Sequence, residues 1–202
     1  LCASTIFEAD TVTDHPRLVE LIRLFAARNP EVVAQVAPTP EGYIGYKGRR
    51  LLSPLSRNRL ERVLGYLLDE NEFLSPYGIR SLSKFHEQNP YVLDVEGTEG
   101  RVTYDPAESR SNQFGGNSNW RGPIWLPINY LIIYALRRFH RYYGDDFKVE
   151  CPTGSGNFVT LAGAATEIAR RLSRLFLRDG EGRRAIFGQD AMLQNDPNFR
   201  DF

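Results

Sequence analysis

Pro123-Ile124-Trp125-Leu126-Pro127-Ile128-Asn129-Tyr130-Leu131-Ile132-Ile133-Tyr134-Ala135-Leu136-Arg137-Arg138-Phe139-His140-Arg141-Tyr142-Tyr143 is the stretch whose reading decides the fold class. Ile124, Leu126, Ile128, Leu131, Ile132, Ile133, Leu136 and Phe139 leave little polar surface before the arginines, so the pattern predicts a helix over about 123–143, packed on most of its sides. Arg137, Arg138 and Arg141 gather at its end, where they suit the negative pole of the helix dipole, and Gly144 supplies a stop.

Working outward, amphipathic spacing predicts three more helices. One covers His15 to Arg28, with Asp14 as cap, Pro16 in the first turn and Leu18, Leu21, Ile22, Leu24 and Phe25 recurring at spacings of three and four. A second starts near Ser56 and stops near Asp69, with Leu60, Val63, Leu64, Leu67 and Leu68 on one face. A third runs from about Leu161 to Arg178 and ends at Asp179-Gly180-Glu181-Gly182. Between them lie long segments rich in Gly, Pro and Ser: 42–52, 71–89, and the turn at Thr153-Gly154-Ser155-Gly156. Tyr91–Asp94 and Arg101–Tyr104, flanking Gly97 and Gly100, have strand character and predict a small β-hairpin insertion. With no βαβ alternation, the expected class is all-α, with long loops that carry the unusual residues.

The chain has 202 residues, with 25 basic and 25 acidic side chains. That balance gives no electrostatic reason to expect nucleic acid or an anionic membrane as a partner. Neither a spanning segment nor a signal peptide is visible, so the expected location is cytoplasmic. Cys2 and Cys151 are far apart and lack His or Cys neighbours at ligand spacing, which points away from a metal or a disulfide framework. No cofactor motif is present. Thr153-Gly154-Ser155-Gly156 lacks the Lys of a phosphate loop, and no Gly-x-Ser-x-Gly elbow occurs.

Just upstream of the long helix, Phe114-Gly115-Gly116-Asn117-Ser118-Asn119-Trp120-Arg121-Gly122 delivers two indoles, counting Trp125, and a guanidinium to one corner. Glycines permit close approach, asparagines offer paired donors and acceptors, and indole faces suit the C–H faces of a sugar. Trp120 and Trp125 read equally as core residues, and Arg121 either binds a hydroxyl or carboxylate or pairs with an acidic neighbour. Tyr77, Gly78, Arg80 and Ser81 form a second polar and aromatic loop, which is a site only if it converges with the tryptophan corner. Glycoside hydrolysis requires two carboxyl groups, and the loop candidates are Glu72, Asp94, Asp105 and Glu108; spacing does not single out a catalytic acid among them.

Phe73–Ser83, Tyr104-Asp105-Pro106-Ala107-Glu108-Ser109 and Gly115–Leu131, continued through His140–Phe147 and Glu150–Gly156, resemble glycoside hydrolase family 63 in order and spacing. The likeness is to its bacterial glucosidase-like and mannosylglycerate-hydrolase-like members. It covers roughly 51–202, with 1–50 matching only loosely. The resemblance implies part of an (α/α)6 toroid and an inverting α-glycosidase acting on a terminal α-glucosidic or α-mannosidic bond, with an oligosaccharide or small α-glycoside as ligand. It also implies that 1–202 is a single incomplete domain, completed by the remainder of the same polypeptide. By that likeness the acid lies before Leu1 and the base after Phe202, so no catalytic residue is expected in this chain. The binding residues it implies are Tyr77, Gly78, Arg80, Asn119, Trp120, Arg121, Gly122 and Trp125. The alternative is a non-catalytic helical module that holds a glycan or a protein partner.

Overall fold

The computed structural model describes residues 1–30, 44–105 and 123–200. These form two compact units, one comprising Leu1–Gly65, Leu131–Cys151 and Ser155–Ala165, the other Tyr66–Tyr130, Pro152–Gly154 and Thr166–Phe202.

Helices α1 (Ala9–Asp14), α2 (Pro16–Arg28), α3 (Arg57–Leu67), α4 (Leu126–Tyr143), α5 (Leu161–Ser173) and α6 (Ala191–Asn195) include all four predicted from periodicity. Asp14 does not cap α2. It closes α1, and His15 occupies the junction without a side-chain capping bond.

The all-α expectation is overturned by four two-stranded antiparallel sheets among the described residues. β1 (Thr5–Phe7) pairs with β2 (Arg50–Leu52), β3 (Leu74–Ser75) with β4 (Gly78–Ile79), β5 (Tyr91–Val95) with β6 (Thr98–Val102), and β7 (Lys148–Glu150) with β8 (Phe158–Thr160). The reason is backbone accounting. Connections that are partly buried must find partners for their N–H and C=O groups, and pairing with a nearby segment supplies them. Thus 73–83, predicted as an ordered loop, contains the β3–β4 hairpin, and the turn at 153–156 lies in the connection between β7 and β8. The predicted hairpin at 91–104 is present, with Asp94 opposite Glu99 and a turn at Glu96-Gly97 in which Gly97 has φ +81°.

In the first unit, Leu60 and Leu64 of α3, Ile132, Leu136 and Phe139 of α4, Phe147 and Leu161 are buried and form the core. Helix α4 is not enclosed on most sides, as its composition predicted. Leu126, Tyr130, Leu131 and Tyr134 are exposed, because its buried residues recur at helical spacing and occupy one stripe only. In the second unit the core is smaller and more polar. Leu68, Leu74, Ile79 and Ile168 are buried there together with Ser75, Arg80, Ser83, Asn129 and Arg171.

Candidate functional site

The second unit is organised around the β3–β4 hairpin, whose two-residue connection is Pro76-Tyr77. Pro76 suits a tight turn because its ring presets φ, and Gly78 follows with φ +115°, a conformation that side chains resist. A Cβ added at Gly78 would stand 2.8 Å from Leu172 Cδ2 and 2.9 Å from Asn129 Oδ1, so both space and backbone conformation require glycine. The hairpin also closes on itself. Ser75 Oγ donates to the Gly78 carbonyl at 2.7 Å and accepts from the Tyr77 N–H at 3.0 Å.

Three buried polar side chains hold this turn from outside. The Asn129 amide donates to the carbonyls of Ile79 (2.9 Å) and Trp125 (3.1 Å), while its oxygen accepts the Ile79 N–H at 2.7 Å. One Arg80 nitrogen, Nη1, donates to the carbonyls of Glu70, Glu72 and Leu74 at 3.1, 3.2 and 2.6 Å, and Nε donates to the Tyr104 hydroxyl at 3.1 Å. Arg171 reaches the Ser75 carbonyl at 3.0 Å and bridges Glu70 and Glu167, each at 2.8 Å. An unsatisfied buried donor or acceptor costs about 1–3 kcal/mol, so this mutual satisfaction is what allows so polar a segment to be buried.

Electrostatics reinforce the clamp. Hydrogen bonding from Arg170, joined by Arg171 and set against partial burial, draws the Glu167 carboxyl down to about 2. Burial alone would lower the Arg171 pKa, but its hydrogen bonds to Glu167 and Glu70 outweigh that and raise it. Both groups therefore stay charged across the physiological range.

What the hairpin presents outward is Tyr77, an exposed ring on a fixed turn. Pro76 and Tyr77 form one edge of a concavity of about 610 Å³ whose other walls include Arg174, Leu177, Arg178, Asp179, Arg183 and Arg184. Arg183 is ion-paired with Glu181 at 2.8 Å and lies 3.7 Å from Asp179. Backbone N–H groups of Arg183 and Glu181 donate to Asp179 and, with the Arg183 charge, hold its carboxyl below the usual range.

Of the residues singled out from sequence, Tyr77, Gly78 and Arg80 come together in the hairpin and the residue that follows it. Trp125 is half-buried, and its carbonyl receives the Asn129 amide. An isolated bridge between Arg80 and Ile124 ties its segment to the hairpin. Asn119, Trp120, Arg121 and Gly122 lie outside the described residues, as does Glu108. The other candidate carboxylates have local tasks: Glu72 accepts from Ser83 Oγ, Asp94 from the Gly97 N–H at 2.9 Å, and Asp105 from Thr103 Oγ1 at 3.4 Å. Asn129 and Arg171 were not foreseen. Their signals were an asparagine inside an apolar helix, where it is a poor helix former, and a glutamate four residues before an arginine. Among the described residues no group of three or more His, Cys, Asp or Glu is placed to hold a metal ion, and no helix is long and apolar enough to cross a membrane.

The hairpin, Tyr104, the Arg80–Ile124 bridge and Asn129 belong to a stretch that carries a family signature. The profile of the Glycosyl hydrolase family 63 C-terminal domain matches residues 40–151. An uncharacterized protein of Saccharomyces cerevisiae is 47% identical over 205 aligned residues, covering 100% of this chain and 19% of that protein. A probable mannosyl-oligosaccharide glucosidase of Schizosaccharomyces pombe is 40% identical over 86 residues, covering 42% of this chain and 8% of that protein. The mannosyl-oligosaccharide glucosidase of Saccharomyces cerevisiae is 32% identical over 102 residues, covering 50% and 9%. The chain thus spans about a fifth or less of the length of these relatives. No solved structure matches it significantly. With more than half of its residues inside the matched region, the chain belongs to glycosyl hydrolase family 63, through that family's C-terminal domain.

Proposed function

We propose that this chain is the substrate-binding wall of an inverting α-glycosidase that removes a terminal α-glucosyl or α-mannosyl residue from an oligosaccharide or small α-glycoside. The observation that carries the reading is the family match over 40–151, joined by two relatives whose names describe mannosyl-oligosaccharide glucosidases. In this reading Tyr77 meets the sugar through its ring, and Trp120 and Trp125 offer further stacking faces. Asn119 and Arg121 bind hydroxyls, and Gly122 lets the backbone approach. Gly78, Arg80, Asn129 and Arg171 act at one remove, as positioning residues that fix the turn carrying Tyr77.

The acid and base stand on segments outside these 202 residues, and the remainder of a longer polypeptide is the partner that completes the site. The share of each relative that the chain spans supports this. A cytoplasmic setting also belongs to the proposal and is supported by two cysteines that are both free thiols.

The test is turnover of α-glucosides and α-mannosides by the product of the complete reading frame that contains this chain, with the first-formed anomer read by proton NMR. Inversion is expected, since a water must attack from the face opposite the leaving group. Tyr77→Ala should raise KM by about tenfold, the range of one lost stacking contact. Hydrolysis by the isolated chain, abolished in Glu108→Gln, would show that the acid and base have been misplaced.

A further inference from the structure

We infer that the concavity beside Tyr77 binds a phosphate monoester of a sugar, its dianion held by arginines and its ring laid against Pro76 and Tyr77. Four guanidinium groups from two neighbouring segments, Arg174 and Arg178 after α5, then Arg183 and Arg184, line this one space. The chain as a whole balances 25 basic against 25 acidic residues, so composition does not explain such local crowding. Among the described residues that line the space Asp179 is the one carboxylate; its Oδ1 accepts the backbone N–H groups of Glu181 and Arg183 at 2.9 and 2.8 Å, and its Oδ2 lies 3.7 Å from Arg183 Nε.

Arg184 donates through Nε to the Phe176 carbonyl at 2.9 Å and through Nη1 to the Arg200 carbonyl. Those acceptors are neutral, so they occupy part of its N–H fork and, among the described residues, do not cancel its charge. Arg178 also donates to the Arg200 carbonyl, at 3.2 Å. Among the described residues no carboxylate pairs with Arg174 or Arg184, whereas Arg183 is matched by Glu181 and Asp179. Arg174 and Arg184 thus bring like charges to one concavity, and guanidinium forks match phosphate oxygens in geometry as well as charge. A space of about 610 Å³ suits a ligand of sugar-phosphate size, and Pro76, Tyr77 and Leu177 supply the apolar surface that a pyranose ring needs. The anion half of this inference stands on the arginines, while the sugar half rests on Tyr77 being a sugar contact.

Calorimetric titration of the product of the complete reading frame that contains this chain, in a buffer free of phosphate, with inorganic phosphate, a hexose 6-phosphate and the neutral hexose separates the two halves. The hexose phosphate should bind at least about tenfold more tightly than either of the others, and its affinity should fall with added salt. Arg174→Ala, a change at an exposed side chain, should weaken both anions by about tenfold without moving the melting temperature. Tyr77→Ala should weaken the hexose phosphate and leave inorganic phosphate unchanged. Equal affinity for the two anions, with Tyr77→Ala silent, overturns the sugar half and with it the reading of Tyr77 as a sugar contact. Failure of both anions to bind, or binding untouched by Arg174→Ala and by Arg183→Ala, overturns the site while leaving that reading of Tyr77 intact.

Discussion

Helix α2 carries Leu21, Ile22, Leu24 and Phe25, each about half exposed, and buries none of its residues, whereas the β3–β4 hairpin buries Leu74, Ser75, Gly78 and Ile79, and Arg80 directly after it. Hydropathy alone would rank the two the other way round. The difference lies in what each segment has to satisfy. An amphipathic helix meets its own backbone hydrogen bonds and can stand with its apolar stripe uncovered, losing only the gain from burial. A two-residue hairpin satisfies few of its own groups, so it survives burial only where side chains such as Asn129, Arg80 and Arg171 complete the pairing.

If that is the right contrast, the hairpin's polar supports should be costly to remove and the helix's apolar stripe should not. Arg80→Ala removes a donor from three main-chain carbonyls, of which only that of Glu72 has the Lys84 N–H to fall back on among the bonds described, and from the Tyr104 hydroxyl, and should cost about 4 kcal/mol in urea unfolding. Arg80→Lys should recover little of it, because one ammonium cannot span both the carbonyl cluster and Tyr104. Gly78→Ala should cost about 3 kcal/mol, combining the strain of φ +115° with a methyl forced against Leu172 and Asn129. Loss below about 1 kcal/mol for either would mean that the hairpin is not held as described.

Acid provides a finer test of the same clamp. The Glu167 carboxyl is drawn down to about 2 from the usual 4.5, so the stability it contributes is fully present above pH 4.5 and is lost as pH falls towards 2. Glu167→Gln should lower the melting temperature at neutral pH by about 3 °C and flatten the decline between pH 4.5 and 2. A variant that melts in parallel with the wild type through that window would remove Glu167 from the account. The smallest effect is expected on the other side of the comparison, where Leu21→Ala should change stability by no more than about 0.5 kcal/mol. A larger loss, growing with protein concentration, would reveal that a second copy covers α2.

Periodicity located the four long helices because an apolar residue every three or four positions is a local property of the chain. The hairpin at 91–104 was legible for the same reason, with strand formers on either side of a glycine turn. The class was misjudged where pairing is not local. β1 and β2 come from segments more than forty residues apart, and the two residues of β3 are too few to leave a pattern. Among the candidate site residues, sequence grouped Tyr77, Gly78 and Arg80 by adjacency, yet it gave no means of separating their tasks. Only the fold turns Arg80 inward onto carbonyls and leaves the Tyr77 ring outside.

Sequence by itself determined where the four long helices form, which family the motifs at 73–83 and 104–131 resemble, and that the segment holding Pro76 and Gly78 is an ordered loop. Tertiary structure decided which polar residues are buried and which face solvent. That choice depends on whether partners such as Asn129 and Arg171, fifty and nearly a hundred residues away from the hairpin, arrive within hydrogen-bonding distance, and no local pattern encodes such an arrival.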